Sequence, residues 1–105
     1  MQDWLKMSAA DLGRGIAAGE IDPVALTQAF LAAIDSHPHR DLIYSEVTHA
    51  RALAEAEAAA ERARMGLRRS PLDGVPISWK DLFDSAGTKT ESGSDLLKGR
   101  VPDQD

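Results

Sequence analysis

Lys80 is the clearest candidate for a chemically reactive residue in this 105-residue sequence, and it lies at the end of a short, mainly apolar segment. If the segment is extended, alternation puts its large side chains on one face: Val75, Ile77 and Trp79. Lys80 closes the other, more polar face. It is either the solvated end of a strand, which is the common case because lysines are rarely buried, or a desolvated amine. A desolvated lysine loses its charge more easily and can serve as a general base. The pattern alone leaves both interpretations open.

Three histidines are the other candidates for chemistry: His37, His39 and His49. Pro38 breaks the helical pattern between the first two, and no cysteine or well-placed carboxylate completes a set. A zinc-type site needs three or four converging ligands. We therefore interpret them as surface histidines and predict no metal site.

An ordered series of unlike residues surrounds the lysine. It runs Pro71-Leu72-Asp73-Gly74-Val75-Pro76-Ile77-Ser78-Trp79-Lys80-Asp81, continues through Leu82-Phe83-Asp84 to Ala86-Gly87, and ends in Thr90-Glu91-Ser92-Gly93-Ser94. This series resembles the lysine-bearing segment of the amidase signature family, where a Gly-Val/Ile-Pro and a short β-run precede Lys-Asp, an Ala/Gly pair and Thr-x-x-Gly-Ser. The spacing of so many different residues makes the resemblance far more specific than a lone lysine.

The resemblance implies a Ser-Ser-Lys hydrolase that converts a carboxamide to a carboxylate and ammonia through an acyl-enzyme. One serine would attack the carbonyl, a second would relay its proton, and Lys80 would be the final base. Supporting or structural positions are then Gly74, Pro76, Asp81, Gly93 and Ser94. Asp81 would be a neighbour of the lysine and not a second base. The resemblance implies no cofactor, and the binding partner that it implies for the full enzyme is a small-molecule amide substrate.

The sequence departs from the family where the nucleophile is concerned. The family's two serines lie downstream in a stretch of the form Gly-Gly-Ser-Ser-Gly-Gly, which these 105 residues do not contain. Ser78 belongs to the lysine segment, and Ser92 and Ser94 lack the surrounding glycines. We therefore expect residues 1–105 to be an N-terminal fragment of a single amidase domain, without amidase activity of its own.

Local signals predict three helices. Ser8 is a candidate N-cap for a helix to about Ala18, ending at Gly19. Asp22-Pro23 starts a second helix, which Ser36-His37-Pro38 stops. A third, alanine-rich helix runs from Thr48 to Met65 and ends at Gly66. Its apolar stripe is Leu53, Ala56, Ala60, Ala63 and Leu67, and the pairs Arg51/Glu55 and Glu61/Arg64 lie on the opposite side.

The remaining segments favour an incomplete α/β fold. Residues 42–47 contain β-formers and are predicted to be a strand, and residues 75–80 a second one. We expect a helical region with one short strand over 1–67, and the lysine strand with its loop over 68–105. The fold class is thus the helices and lysine-bearing strand of the family's mixed sheet, with the partner strands missing.

Composition limits the partners. The net charge of −5 argues against direct nucleic-acid binding, and no apolar run approaches membrane-spanning length. The lack of cysteine fits a reducing compartment, so we expect a cytoplasmic protein. The alternative to an amidase is a non-catalytic helical interaction module, which would pair with a partner or form a homo-oligomer through its alanine-rich helix and strand edge.

Overall fold

In a computed structural model, which describes residues 2–105, the regular structure is helical. The α-helices are α1 (Ala9–Ala17), α2 (Pro23–Ser36), α3 (Arg40–Ile43) and α4 (His49–Arg64). Short 3-10 helices cover Gln2–Lys6 and Asp95–Leu97. The chain forms two compact units. The first comprises the residues up to Pro38 together with His49–Pro76, and the second comprises His39–Thr48 and Ile77–Asp105.

The predicted start and end of α1 are confirmed. The hydroxyl of Ser8 accepts a hydrogen bond from the backbone N–H of Asp11 at 3.1 Å, as an N-cap side chain does. At the other end Gly19 has a positive φ of 75°, and its N–H donates to the carbonyl of Ile16. This left-handed residue ends the helix and turns the chain toward α2.

The boundaries of α2 are confirmed as well. Both carboxylate oxygens of Asp22 accept hydrogen bonds at 3.3 Å, one from Val24 N–H and the other from Ala25 N–H. Pro23 occupies the first helical position, where no N–H is needed. The helix ends at Ser36, and His37 is extended because it precedes a proline.

Helix α4 lies within the predicted range and packs against α2 through small side chains. Ala56, Ala59 and Ala60 are buried, whereas Leu67, expected to complete the stripe, is exposed. The chain leaves the helical conformation before that residue, at Gly66, whose φ is 71°. The predicted ion pairs on the outer side, Arg51 with Glu55 and Glu61 with Arg64, are present.

The core of the first unit is small. Its buried residues are Leu12, Ile16, Ile21 and Leu26, and five partly buried residues pack against them: Trp4, Met7, Phe30, Ala63 and Val75. Leu26 is fully buried. Val75 thus joins the lysine segment to this core at the segment's first residue. No helix within residues 2–105 is long and apolar enough to cross a membrane.

The prediction of strands is wrong for the described residues. The start of the 42–47 segment belongs to α3, and 44–47 has no regular structure. Residues 75–80 also carry no ladder hydrogen bonds, and residues 2–105 contain no strand. A strand is defined by a neighbour that pairs with its backbone, and this part of the chain supplies none. The described residues therefore show the helices but no mixed sheet.

Candidate active site

The candidate site begins at a turn that an ion pair holds against the end of α4. Arg62 donates two hydrogen bonds to Asp73, Nε to Oδ2 and Nη2 to Oδ1, each 2.8 Å long. The N–H of Arg69 donates to Oδ2 at 3.1 Å. These donors, led by Arg62, lower the pKa of Asp73 from 3.8 to about 2. The side chains of Arg62 and Asp73 are 25% and 9% exposed, and salt screens such a partly buried pair less than an exposed one.

Close backbone packing fixes the same turn from the side of α1. A Cβ atom on Gly13 would lie 2.0 Å from the carbonyl oxygen of Pro71. Arg68 Nη2 donates to that oxygen at 3.0 Å and to the carbonyl of Asp73 at 3.2 Å. Gly74, which follows, has a φ of 98°, and a Cβ there would lie 3.1 Å from both Ile16 Cδ1 and Pro23 Cγ. Gly74 therefore lies where both conformation and space favour glycine.

The lysine segment is solvent-exposed in these 105 residues. Val75 and Pro76 are half-buried, but Ile77 and Trp79 are 64% and 71% exposed. Lys80 is exposed, and no described residue gives its side chain a hydrogen bond or an ion pair. The expectation of one buried face is therefore met only by Val75, because nothing in the described chain covers the rest.

An aromatic pair flanks the lysine. The rings of Trp79 and Phe83 meet edge to face, with centroids 5.9 Å apart and an angle of 69° between their planes. The Phe83 N–H donates to the carbonyl of Lys80 at 3.2 Å. The chain thus turns immediately after the lysine and brings Phe83 back beside Trp79.

Asp81 connects the lysine segment to the loop that ends the motif. One carboxylate oxygen accepts from the Glu91 N–H at 3.1 Å, and the Asp81 carbonyl accepts from the Ser92 N–H at 2.8 Å. Both acceptors belong to the residue next to Lys80. Asp81 is half-buried, whereas the lysine itself is exposed.

The loop itself is a tight turn over Glu91–Ser94. Its two central residues, Ser92 and Gly93, have φ values of 51° and 66°, and the Ser94 N–H donates to the Glu91 carbonyl at 2.8 Å. Two positive φ angles are typical of a type I′ turn. The Ser94 hydroxyl then accepts from the Leu96 N–H at 3.2 Å and caps the 3-10 helix that follows.

A buried threonine anchors this turn. Thr90 is 3% exposed; its hydroxyl lies 3.4 Å from the Phe83 carbonyl oxygen, and its N–H donates to the carbonyl of Arg100 at 2.9 Å. Arg100 also forms two hydrogen bonds with the carboxylate of Asp84, at 2.7 and 3.0 Å. These bonds from Arg100 hold the pKa of Asp84 below its ordinary value.

The candidate residues fall into two groups. Gly74 and Pro76 belong to the first unit, whereas Lys80, Asp81, Gly93 and Ser94 belong to the second. Within the second unit the structure brings Asp81 to the turn that contains Gly93. Residues 2–105 contain no cluster of three or more histidine, aspartate or glutamate side chains able to hold a metal ion.

Sequence reasoning missed two contributors. Arg62 belongs to a basic stretch at the end of the third predicted helix, where the helix dipole favours solvated basic side chains, yet this residue is the main donor to Asp73. Glu91 has no assigned role in the motif, yet its N–H meets Asp81 and its carboxylate accepts from the Gly99 N–H. None of these three contacts has a short-range signal in the sequence, because each joins residues eight or more positions apart.

Comparison with known proteins agrees with the motif. The family model described as Amidase matches residues 25–105, which is more than half of the chain. The A subunit of the glutamyl-tRNA(Gln) amidotransferase from Streptomyces coelicolor is 37% identical over 105 residues, all of this chain and 21% of that protein. The proteins of the same name from Anaeromyxobacter dehalogenans and Chloroflexus aggregans are 40% and 42% identical, over 95% and 94% of this chain and 20% of each relative.

The chain therefore belongs to the amidase signature family, as its lysine motif indicates. It spans about a fifth of the length of the curated relatives it matches. No solved structure gives a significant match.

Proposed function

We propose that this chain supplies the lysine of a Ser-Ser-Lys amidase, with Lys80 as the final proton acceptor. The observation that carries the proposal is the Gly74–Asp81 motif, within a family match over residues 25–105. The 105 residues hold one of the three catalytic groups. The two serines would come from polypeptide that corresponds to the remaining length of the relatives.

The proposed chemistry is acyl transfer. The attacking serine oxygen forms a bond to the amide carbonyl carbon, and its proton passes through the second serine to the neutral amine of Lys80. The proton then returns to the amide nitrogen, the C–N bond breaks, and ammonia leaves. Water releases the acyl group as a carboxylate by the same route. A serine hydroxyl is a weak nucleophile until such a base removes its proton.

The exposure of Lys80 gives this proposal a physical requirement. A general base must accept a proton in the reaction. Burial among neutral groups favours the uncharged amine. We propose that the remaining amidase polypeptide covers the lysine segment and pairs with residues 75–80 as a strand of a mixed sheet. The exposed Ile77 and Trp79 side chains support this, since they have the character of buried strand residues.

The supporting residues have proposed roles that follow from their contacts. Gly74 allows the chain to leave the helical core beside Ile16 and Pro23, and Pro76 fixes its own φ and keeps Val75 before it extended. Gly93 adopts the turn's positive φ, and Ser94 caps the helical turn after it. None of these residues carries a proton in the reaction.

Glutamine is the proposed amide, because the relatives are named as A subunits of glutamyl-tRNA(Gln) amidotransferases. The test is a fusion in which residues 1–105 replace the stretch of the Streptomyces coelicolor protein that they align with. Ammonia release from glutamine and from a simple aromatic carboxamide is then measured. We expect the fusion to be active and the 105-residue chain alone to be inactive.

A folded but inactive fusion would contradict the proposal, as would amide turnover by the 105-residue chain alone. Circular dichroism of the fusion, compared with the unmodified Streptomyces coelicolor protein, separates an inactive enzyme from one that has not folded. The unmodified protein serves as the positive control for both substrates.

A second candidate is self-association of the chain, which the exposed apolar residues of the second unit favour. They include Leu42, Ile77, Trp79 and Leu96, the last of which is 96% exposed. Surfaces of this kind mark interfaces when they are contiguous. Light scattering after size exclusion tests it: a concentration-dependent dimer supports it, and a monomer throughout the micromolar range contradicts it.

A further inference from the structure

Asp81 presents two acceptors to consecutive N–H groups of one loop. Its carboxylate receives the Glu91 N–H at 3.1 Å and its carbonyl receives the Ser92 N–H at 2.8 Å. Ser92 is the only non-glycine residue with positive φ among residues 2–105. A serine in this conformation costs free energy, so other contacts must hold it there. The Asp81 carbonyl bond to its N–H is such a contact.

The loop in turn is tied down on its far side. Thr90 is buried, with its N–H on the Arg100 carbonyl and its hydroxyl on the Phe83 carbonyl. Glu91 accepts from Gly99 N–H through its carboxylate. Hydrogen bonds therefore hold the turn over Glu91–Ser94 in place within the second unit. Asp81 is the residue that connects the lysine segment to this turn.

We propose that Asp81 is a positioning residue, whose carboxylate fixes the backbone that carries Lys80 to the Glu91–Ser94 turn. The inference rests on the proposed function of Lys80. A general base needs its amine within hydrogen-bonding distance of the proton it accepts, and a displacement of about 1 Å can cost a factor of 100 in rate. Since Asp81 is the next residue, the position of its backbone sets where the lysine side chain begins.

Three variants distinguish the loss of the hydrogen bond between the Asp81 carboxylate and the Glu91 N–H from the general effect of removing an acidic side chain. Asp81→Ala removes the carboxylate acceptor, whereas Asp81→Asn keeps an oxygen that can accept from Glu91 N–H. Asp103→Ala is the matched control, because Asp103 is an exposed acidic residue of the same unit and does not contact the Glu91 or Ser92 amides.

The first measurement uses the 105-residue chain itself. Amide hydrogen exchange followed by NMR reports the Glu91 N–H directly. We expect Asp81→Ala to speed exchange at Glu91 roughly 3- to 10-fold, which is what the loss of one net hydrogen bond allows. Asp81→Asn and Asp103→Ala should stay within about twofold of the parent at that amide. Unchanged exchange in Asp81→Ala overturns the inference.

The second measurement uses the active fusion with the Streptomyces coelicolor protein. A positioning role predicts that Asp81→Ala lowers kcat about 10- to 100-fold and leaves KM nearly unchanged. Asp81→Asn should recover most of that loss, which a purely structural effect of removing the charge would not allow. Equal kcat values for Asp81→Ala and the parent fusion overturn the inference about Asp81 but do not contradict the proposed role of Lys80 as the base. An inactive parent fusion instead contradicts the proposed function, and with it any catalytic meaning of this contact.

Discussion

Arg62 binds Asp73 through two parallel hydrogen bonds of equal length, 2.8 Å, that join the last turn of α4 to the turn before Gly74. Arginine and carboxylate match each other in this bidentate geometry. The pair lies where the helical core ends and the lysine segment begins, so it anchors the turn from which that segment starts.

The pair predicts an acid-sensitive contribution to stability. The pKa of Asp73 in the folded chain lies below its ordinary 3.8, at about 2. The contribution is therefore complete above pH 3.8 and is lost as the pH falls through 2. A lowering of this size corresponds to roughly 2 kcal/mol. We expect Asp73→Asn to lower the free energy of unfolding at pH 7 by about 1–2 kcal/mol, measured by urea denaturation.

The same variant should also flatten the pH dependence between pH 4 and pH 2. Asp103→Asn, an exposed position near the end of the sequence, is the control and should leave the denaturation midpoint unchanged. Equal unfolding free energies for Asp73→Asn and the parent at pH 7 would show that the ion pair does not stabilise the fold.

The two buried glycines of α1 should respond differently to alanine. Replacing a helical glycine normally stabilises a helix by about 1 kcal/mol. At Gly13 the new Cβ would lie 2.0 Å from the rigid carbonyl oxygen of Pro71, whereas at Gly15 it would meet the terminal carbon of Ile21 at 2.4 Å. We expect Gly13→Ala to destabilise by about 1–3 kcal/mol and Gly15→Ala to cost less, because a side-chain end can move. Thermal unfolding of both variants tests the order, and the reverse order would be inconsistent with the packing of Pro71 on α1.

The Glu91–Ser94 turn predicts opposite effects at one position. Ser92 has a φ of 51°, a conformation that asparagine tolerates and β-branched residues do not. Ser92→Asn should raise the unfolding free energy by a few tenths of a kcal/mol, and Ser92→Val should lower it by about 1–2 kcal/mol. Chemical denaturation of the two variants gives the sign. Equal unfolding free energies for Ser92→Val and the parent would mean that residue 92 does not hold a left-handed conformation in solution.

Helix boundaries were predictable because their determinants are local. Ser8, Asp22 and the Ser36-His37-Pro38 stop act within a few residues of the helix ends they define, and the structure agrees at each. The absence of a strand at 42–47 was not predictable in the same way. The β-forming residues of this segment satisfy a pattern, but a strand needs a partner, and Arg40–Ile43 forms a helical turn instead. The identity of Lys80 as the candidate came from its neighbours in the sequence. Its surroundings could not be predicted in this way, and among the described residues the side chain of Lys80 is exposed.

The most direct test of the account is the Lys80→Ala variant of the fusion with the Streptomyces coelicolor protein, assayed for ammonia release from glutamine. Lys98→Ala, an exposed lysine in the same unit outside the motif, is the matched control. We predict that Lys80→Ala lowers kcat by a factor of about 100 or more, within the roughly 10²–10⁴ that a general base contributes, while Lys98→Ala keeps the parent rate. Parent-level turnover in a folded Lys80→Ala fusion would contradict the assignment of Lys80 as the catalytic base.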